Sequence, residues 1–76
     1  MTVRLHALTA IRAIRSRSLA RAALALADDP SGGIRTNLIA LLVELRVPGH
    51  RAVLEAGLRD PKHYIRGQCR RLLGRG

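Results

Sequence analysis

Few side chains in this sequence are suited to covalent or metal chemistry. The chain contains three histidines, His6, His50 and His63, and a single cysteine, Cys69. No histidine has another histidine or cysteine at the short spacings typical of metal sites, and no serine lies beside a candidate general base. The sequence therefore predicts no enzyme activity, no cofactor and no metal ion.

Charged residues, by contrast, recur in a regular pattern. Asp29-Pro30 and Asp60-Pro61 are each followed, six residues after the aspartate, by an isoleucine–arginine pair that ends at Arg35 or Arg66. A related pair, Val3-Arg4, opens the chain, and the three β-branched residues lie 31 residues apart, at positions 3, 34 and 65. A fixed period in this range is typical of helical repeat proteins.

The residues after each pair predict three equivalent helices. In the middle copy the apolar residues follow the spacing i, i+4, i+7, i+8, i+11, which places them on one face of an α-helix. The three predicted stripes are Val3, Ala7, Ala10, Ile11 and Ile14; Ile34, Leu38, Leu41, Leu42 and Leu45; and Ile65, Cys69, Leu72 and Leu73.

Two further helices are predicted between these three. The first runs from about Ser16 to Ala27, with Ser16 or Ser18 as its N-cap and with Leu19, Ala22, Ala23 and Leu26 facing inward. The second runs from about Pro48, in the first turn, to Leu58, with Val53, Leu54, Gly57 and Leu58 facing inward. The prediction is therefore an all-α chain of about five antiparallel helices.

These motifs resemble the HEAT repeat, in particular the short HEAT-like repeats of bilin lyases. The resemblance rests on Asp29-Pro30 with Ile34-Arg35 and on Asp60-Pro61 with Ile65-Arg66. It implies a short α-solenoid in a single domain, residues 1–76, made of a half repeat 1–15 and repeats 16–46 and 47–76. In HEAT arrays such residues form a structural ladder between neighbouring repeats, which here would comprise Arg4, Asp29, Arg35, Asp60 and Arg66.

Composition limits the remaining function classes. The chain has 76 residues, is 47% hydrophobic and carries a net charge of +9, almost all from arginine. This balance favours an anionic partner, although a GC-rich coding sequence would also produce many arginines. One cysteine cannot form an internal disulfide, which favours a reducing, cytoplasmic location, and no apolar run is long enough for a membrane span. Residues 1–27 lack acidic side chains, so a targeting or membrane-surface peptide is an alternative interpretation.

Two and a half repeats without polar end caps are expected to need a partner. Helical phase places an apolar patch opposite the first two stripes, at Leu5, Leu8, Ile39 and Val43, with arginines as its rim. The sequence thus predicts a non-catalytic protein-binding or self-associating scaffold module. The alternative is a nucleic-acid backbone binder that uses its arginine clusters. The predicted partner-binding residues are Leu5, Leu8, Arg12, Arg15, Ile39, Val43, Arg46, Arg70 and Arg71.

Overall fold

The computed structural model describes the backbone of residues 2–75 and the side chains of residues 4–75. Over this range the chain forms five α-helices and one 3₁₀ helix, without strands. The predicted all-α fold with five helices is therefore confirmed. The elements are α1 (Thr2–Ile14), α2 (Arg17–Ala22), the 3₁₀ helix (Ala23–Asp28), α3 (Gly32–Glu44), α4 (His50–Gly57) and α5 (His63–Gly74).

Serine side chains and left-handed residues mark several of the helix ends. The Ser16 Oγ accepts a hydrogen bond from the Leu19 amide at 3.2 Å, and the Ser31 Oγ accepts one from the Ile34 amide at 3.3 Å, so serine caps both α2 and α3. Arg15 and Arg46, which lie 31 residues apart, end α1 and α3 in the left-handed conformation, with φ of 54° and 52°.

The second predicted helix differs from the prediction in length and in the face that it buries. Its α-helical part ends at Ala22 and continues as the 3₁₀ helix, a common way for a helix to tighten before a turn. Leu19 and Ala22, predicted to face inward, are exposed, whereas Ala20 is completely buried. Ala23 and Leu26, also predicted to face inward, are half-buried and pack against the core, so the prediction is correct for the second half of the segment and wrong for α2 itself.

The fourth helix begins two residues later than predicted. Gly49 is its N-cap and holds a φ of 89°, so Pro48 lies in the preceding turn and not in the first helical turn. Leu58, predicted to face inward, is 39% exposed because it follows the last residue of α4.

The core has two parts, and α3 contributes to both. One part joins α3 to α1, α2 and the 3₁₀ helix, and the other joins α3 to α4 and α5. This position explains why α3 is apolar nearly all round. The buried residues of the first part are Leu8, Ala20, Ile34, Leu38, Leu41, Leu42, Leu45 and Val47, and those of the second are Ile39, Leu54, Ile65 and Cys69.

The predicted stripe is buried in α3 and mostly buried in α5, but not in α1. Ala7, Ala10 and Ile14 are exposed, Ile11 is half-buried, and Val3 lies outside the described side chains. The reason is that no helix of the described chain covers this face of α1, which packs on α3 through its opposite side, around Leu8.

Candidate functional site

The predicted ladder residues form two ion pairs between successive repeated segments. The Arg4 Nε lies 2.7 Å from the Asp29 Oδ2, and the Arg35 Nε lies 2.7 Å from the Asp60 Oδ2. The second pair is bidentate, since the Arg35 Nη2 also donates to the Asp60 Oδ1 at 3.0 Å. Both pairs join residues 25 positions apart, so each arginine reaches the aspartate of the next segment.

The main chain completes the same arrangement in each segment. Arg35 and Arg66 donate through Nη1 to the carbonyl oxygens of Asp29 and Asp60, at 2.7 and 2.6 Å. The aspartate carboxylates accept the amides two residues on, those of Ser31 and Lys62, both at 2.9 Å. These contacts fix the turns that precede α3 and α5.

The inner ladder pair is the more buried one, and its ionisation is correspondingly perturbed. The hydrogen bond from Arg35 lowers the pKa of Asp60 and outweighs burial, which acts to raise it. The hydrogen bond to Asp60 likewise raises the pKa of Arg35. Both side chains of this pair are mostly buried, at 12% and 8% exposed, whereas in the outer pair Asp29 is 5% exposed but Arg4 is 44% exposed.

The prediction that Leu5, Leu8, Ile39 and Val43 form an exposed apolar patch is wrong. Leu8 and Ile39 are only 3% and 4% exposed, Val43 is half-buried, and Leu5 alone of the four is exposed, at 37%. Leu8 and Ile39 occupy equivalent positions in the 31-residue register, and each belongs to the core that joins its helix to the next. The face predicted to meet a partner therefore joins the helices to one another.

Beside this buried face, arginines from two helices line a shallow groove of about 380 Å³ across α1, α3 and α5. Arg12 comes from α1, Arg71 comes from the last turn of α5, and Arg75 is the C-cap residue of that helix. Ala40, Val43 and Leu72 provide the apolar part of the wall. The full lining is Arg12, Ala40, Val43, Glu44, Gln68, Arg71, Leu72 and Arg75.

The one carboxylate in the groove is already engaged. Glu44 forms an ion pair with the Arg12 Nε through its Oε2, and its Oε1 lies 3.5 Å from the Arg15 Nη1. With the carboxylate matched by Arg12, the guanidinium groups of Arg71 and Arg75 leave the groove with an excess of positive charge. Gln68 is held by Thr36, whose hydroxyl donates to the Gln68 Oε1 at 2.7 Å.

Four of the nine predicted partner-binding residues thus meet at one place: Arg12, Val43 and Arg71 line the groove, and Arg15 contacts its rim through Glu44. Arg46 and Arg70 are exposed but do not line it.

Gln68 and Leu72 are groove residues that the prediction missed, and Arg75, which clusters with Arg70 and Arg71 in the sequence, was not among the predicted partner-binding residues. The four-residue spacing of Arg71 and Arg75 could have indicated one shared helix face.

A second concavity, of about 520 Å³, lies between the 3₁₀ helix and α4, above α3. Its walls are mainly alanine and aliphatic side chains, among them Ala27, Ala52 and Val53, and it ends at the Arg35–Asp60 pair. Its exposed charges, Asp28 and Arg59, are of opposite sign, so this cleft has no clear electrostatic preference.

The residues with reactive side chains are dispersed. The His50 Nδ1 donates to the Val47 carbonyl at 2.9 Å, and the His63 ring meets Tyr64 edge to face with centroids 6.0 Å apart. Cys69 is a buried free thiol whose pKa is raised by burial. Within residues 2–75, no group of three or more histidine, cysteine, aspartate or glutamate side chains is placed to hold a metal ion.

In the same part of the chain, no helix has the length and apolar character needed to cross a membrane. Comparisons of the sequence and structure with protein-family profiles, with curated proteins and with solved structures find no match. The interpretation of this chain therefore depends on its internal repeat and on the surfaces described above.

Proposed function

We propose that this chain is a non-catalytic protein-binding module whose basic groove holds an acidic segment of a partner protein. The observation that supports this most directly is the convergence of Arg12, Arg71 and Arg75, from two separate helices, on one groove. Guanidinium groups favour carboxylates because they offer paired donors in a planar arrangement.

The apolar wall of the groove refines the proposal. Ala40, Val43 and Leu72 lie between the arginines, so a matching segment would carry an aliphatic side chain flanked by aspartate or glutamate. Apolar contacts inside a charged rim are the usual anatomy of a protein interface.

We also propose that the fold is a short solenoid of HEAT-like repeats. Three features support this: the 31-residue register, the two ion pairs with equal 25-residue spacing, and the sequential packing of α1 on α3 and of α3 on α5. The helices α2 and α4 would then be the first helices of the two complete repeats.

Binding of a nucleic-acid backbone is the second candidate function, favoured by the net charge of +9 and by the arginines of the groove. The groove contains no aromatic side chain on which a base could stack, and the chain's one tyrosine, Tyr64, lies outside it. Such binding would therefore contact the phosphates without recognising the base sequence.

The test compares two kinds of anionic probe at about 0.15 M salt, where weak surface electrostatics are screened. One probe is a fluorescein-labelled 12-residue peptide of alternating glutamate and leucine, and the other is a labelled 12-nucleotide single strand and its duplex. Fluorescence anisotropy measures the Kd of each. The proposal expects saturable binding of the peptide and weaker binding of both nucleic acids.

Matched variants separate the groove from overall charge. Arg71→Ala with Arg75→Ala is expected to weaken peptide binding about tenfold, because it removes two charged contacts of the groove. Arg17→Ala with Arg51→Ala removes the same charge from exposed sites outside the groove and is expected to change Kd less than twofold. Equal losses in the two double variants would contradict a defined site. Tighter binding of nucleic acid that depends on Arg71 and Arg75 would replace the proposal by the second candidate.

A further inference from the structure

The outer face of α1 is exposed at the positions that are buried in α3. In the 31-residue register, Ala7, Ala10 and Ile14 correspond to Leu38, Leu41 and Leu45. The three leucines are 0%, 1% and 5% exposed, whereas Ala7 and Ala10 are exposed and Ile14 is 64% exposed. Apolar residues at equivalent positions are therefore covered by another helix in α3 but not in α1.

The two equivalent faces show what kind of element fits. The α3 stripe is covered by α2 and the 3₁₀ helix, through Ala20, Ala23, Leu24 and Leu26. The α5 stripe is covered by α4, through Val53 and Leu54. In both cases a short helix of small and aliphatic residues covers the stripe of the helix that follows it in the chain.

We infer that the face of α1 formed by Ala7, Ala10 and Ile14 binds an acidic amphipathic helix of a partner protein, in the position that α2 and α4 take on α3 and α5. The small side chains of Ala7 and Ala10 allow the backbone of such a helix to approach closely, and Ile14 provides an aliphatic anchor.

Charge decides between a partner protein and a second copy. Arg4, Arg12 and Arg15 contact Asp29 or Glu44, so the repulsion between two copies comes from the net charge of the whole chain, which is +9. Two copies joined through α1 would place like charges side by side, which costs free energy. A helix with aspartate or glutamate beside its apolar stripe would instead be attracted to this surface.

This surface is separate from the basic groove. Arg12, which lines the groove, lies about 160° around α1 from Ile14, at 100° per residue. The inference therefore stands or falls independently of the proposed function, and each has its own diagnostic residues.

The probe is a synthetic copy of the chain's own covering segment, residues 16–29, with Arg17→Glu and Arg21→Glu to make it acidic. A hydrocarbon staple on its solvent side reduces the entropic cost of forming a helix. The peptide is titrated into the ¹⁵N-labelled full chain, and amide shifts are followed by NMR up to about 1 mM peptide, the range for weak affinities. The control peptide also carries Leu24→Ser and Leu26→Ser.

The expected result is a set of saturable shifts centred on Ala7, Ala10 and Ile14, absent with the control peptide. Ile14→Glu in the chain is expected to weaken binding about tenfold, as for loss of one large aliphatic contact. Because Ile14 is exposed, this variant is also expected to keep the amide spectrum of a folded chain.

The inference would be overturned by absence of saturable shifts, by unchanged affinity in Ile14→Glu, or by shifts confined to Arg71, Arg75 and their neighbours. The last would assign the acidic peptide to the groove and so support the proposed function alone. Concentration-dependent shifts of Ile14 without peptide, displacing peptide binding, would identify the occupant as a second copy and would also overturn it.

Discussion

α1 and α5 both pack on α3, but their outer faces differ in composition. The outer face of α5 carries Gly67, Arg70, Arg71 and Gly74 at the positions where α3 carries Thr36, Ile39, Ala40 and Val43. The outer face of α1 carries alanine and isoleucine where α3 carries leucine. On the α5 face Arg70 is exposed to water and Arg71 lines the basic groove, whereas the α1 face leaves apolar side chains exposed.

This difference shows that a repeated pattern specifies the helix but not its surroundings. The same register position is core in α3 and surface in α1, because burial depends on which neighbour lies beside it.

The largest expected effect on stability is the difference between alanine substitutions at one register position in α3, where it is buried, and in α1, where it is exposed. Leu45→Ala removes a buried side chain of α3 and is expected to lower the free energy of unfolding by about 3 kcal/mol. Ile14→Ala, at the equivalent position of α1, is expected to lower it by less than about 0.5 kcal/mol. Urea unfolding followed by circular dichroism measures both. Similar losses in the two variants would mean that the α1 face is covered within the chain.

A second comparison concerns the two ion pairs. Asp60→Asn leaves Arg35 with a weakened partner in a mostly buried site, and is expected to cost about 3 kcal/mol of unfolding free energy. Arg4→Gln in the more exposed pair is expected to cost less than about 1 kcal/mol. The same urea titrations provide the values, and a larger loss for Arg4→Gln than for Asp60→Asn would reverse the assignment of the inner pair as the stronger one.

Close packing distinguishes the α4–α5 contact. A Cβ on Gly57 would meet the Cys69 Sγ well inside contact distance, so Gly57→Ala is expected to cost about 1–3 kcal/mol by overpacking. Cys69→Ala in the same chain would remove the clashing sulfur, and the double variant should lose less than the sum of the single variants. Thermal unfolding of the four proteins tests this, and simple additivity would show that the two residues do not oppose each other.

The inner pair also predicts a dependence on pH. The pKa of Asp60 is lower in the folded chain than in the unfolded one, so its contribution is fully present above about pH 4, the ordinary aspartate range. That contribution is lost as the pH falls through the lowered pKa, because the unfolded chain takes up the proton first. Unfolding free energies measured from pH 6 down to pH 2 should therefore decline less steeply in Asp60→Asn. Parallel curves for the two proteins would contradict this assignment.

The last prediction concerns Arg70→Leu, which makes the α5 face resemble that of α3. It is expected to have the smallest effect on stability and the largest effect on self-association. Arg70→Leu introduces an aliphatic residue where Ile39 lies in the register, on an exposed surface, so the free energy of unfolding should change by less than about 0.5 kcal/mol. Exposed apolar area promotes contacts between molecules. Sedimentation equilibrium should show the average mass rising more steeply with concentration than in the parent chain. Identical mass profiles for the two proteins would show that Arg70 does not prevent self-association through the α5 face.

Much of the fold could be predicted from local signals. The 31-residue register, the serine caps and the apolar periodicity are all readable in the sequence and predict the five helices, whereas the residues of both ion pairs were implied by the resemblance to HEAT repeats. The buried face of α2 was predicted incorrectly because an alanine-rich segment offers several almost equivalent apolar faces. Ala20 is the buried residue because it packs in the core with α3.

The candidate site was only partly predictable. Arg12, Val43 and Arg71 were identified, but Leu8 and Ile39 were assigned to the surface because periodicity alone does not show that α1 packs on α3, and α3 on α5, through that face. The groove depends on how three helices lie together, and Arg75 joins it only through that arrangement.

The most direct test of the account is the solvent accessibility of the Ile14 and Leu45 methyl groups, measured by relaxation enhancement from a soluble paramagnetic probe in dilute methyl-labelled protein. An open α1 face predicts strong relaxation at Ile14 and almost none at Leu45, since the first is 64% and the second 5% exposed. Equal protection of the two would contradict an open α1 face, and with it the site inferred for a partner helix.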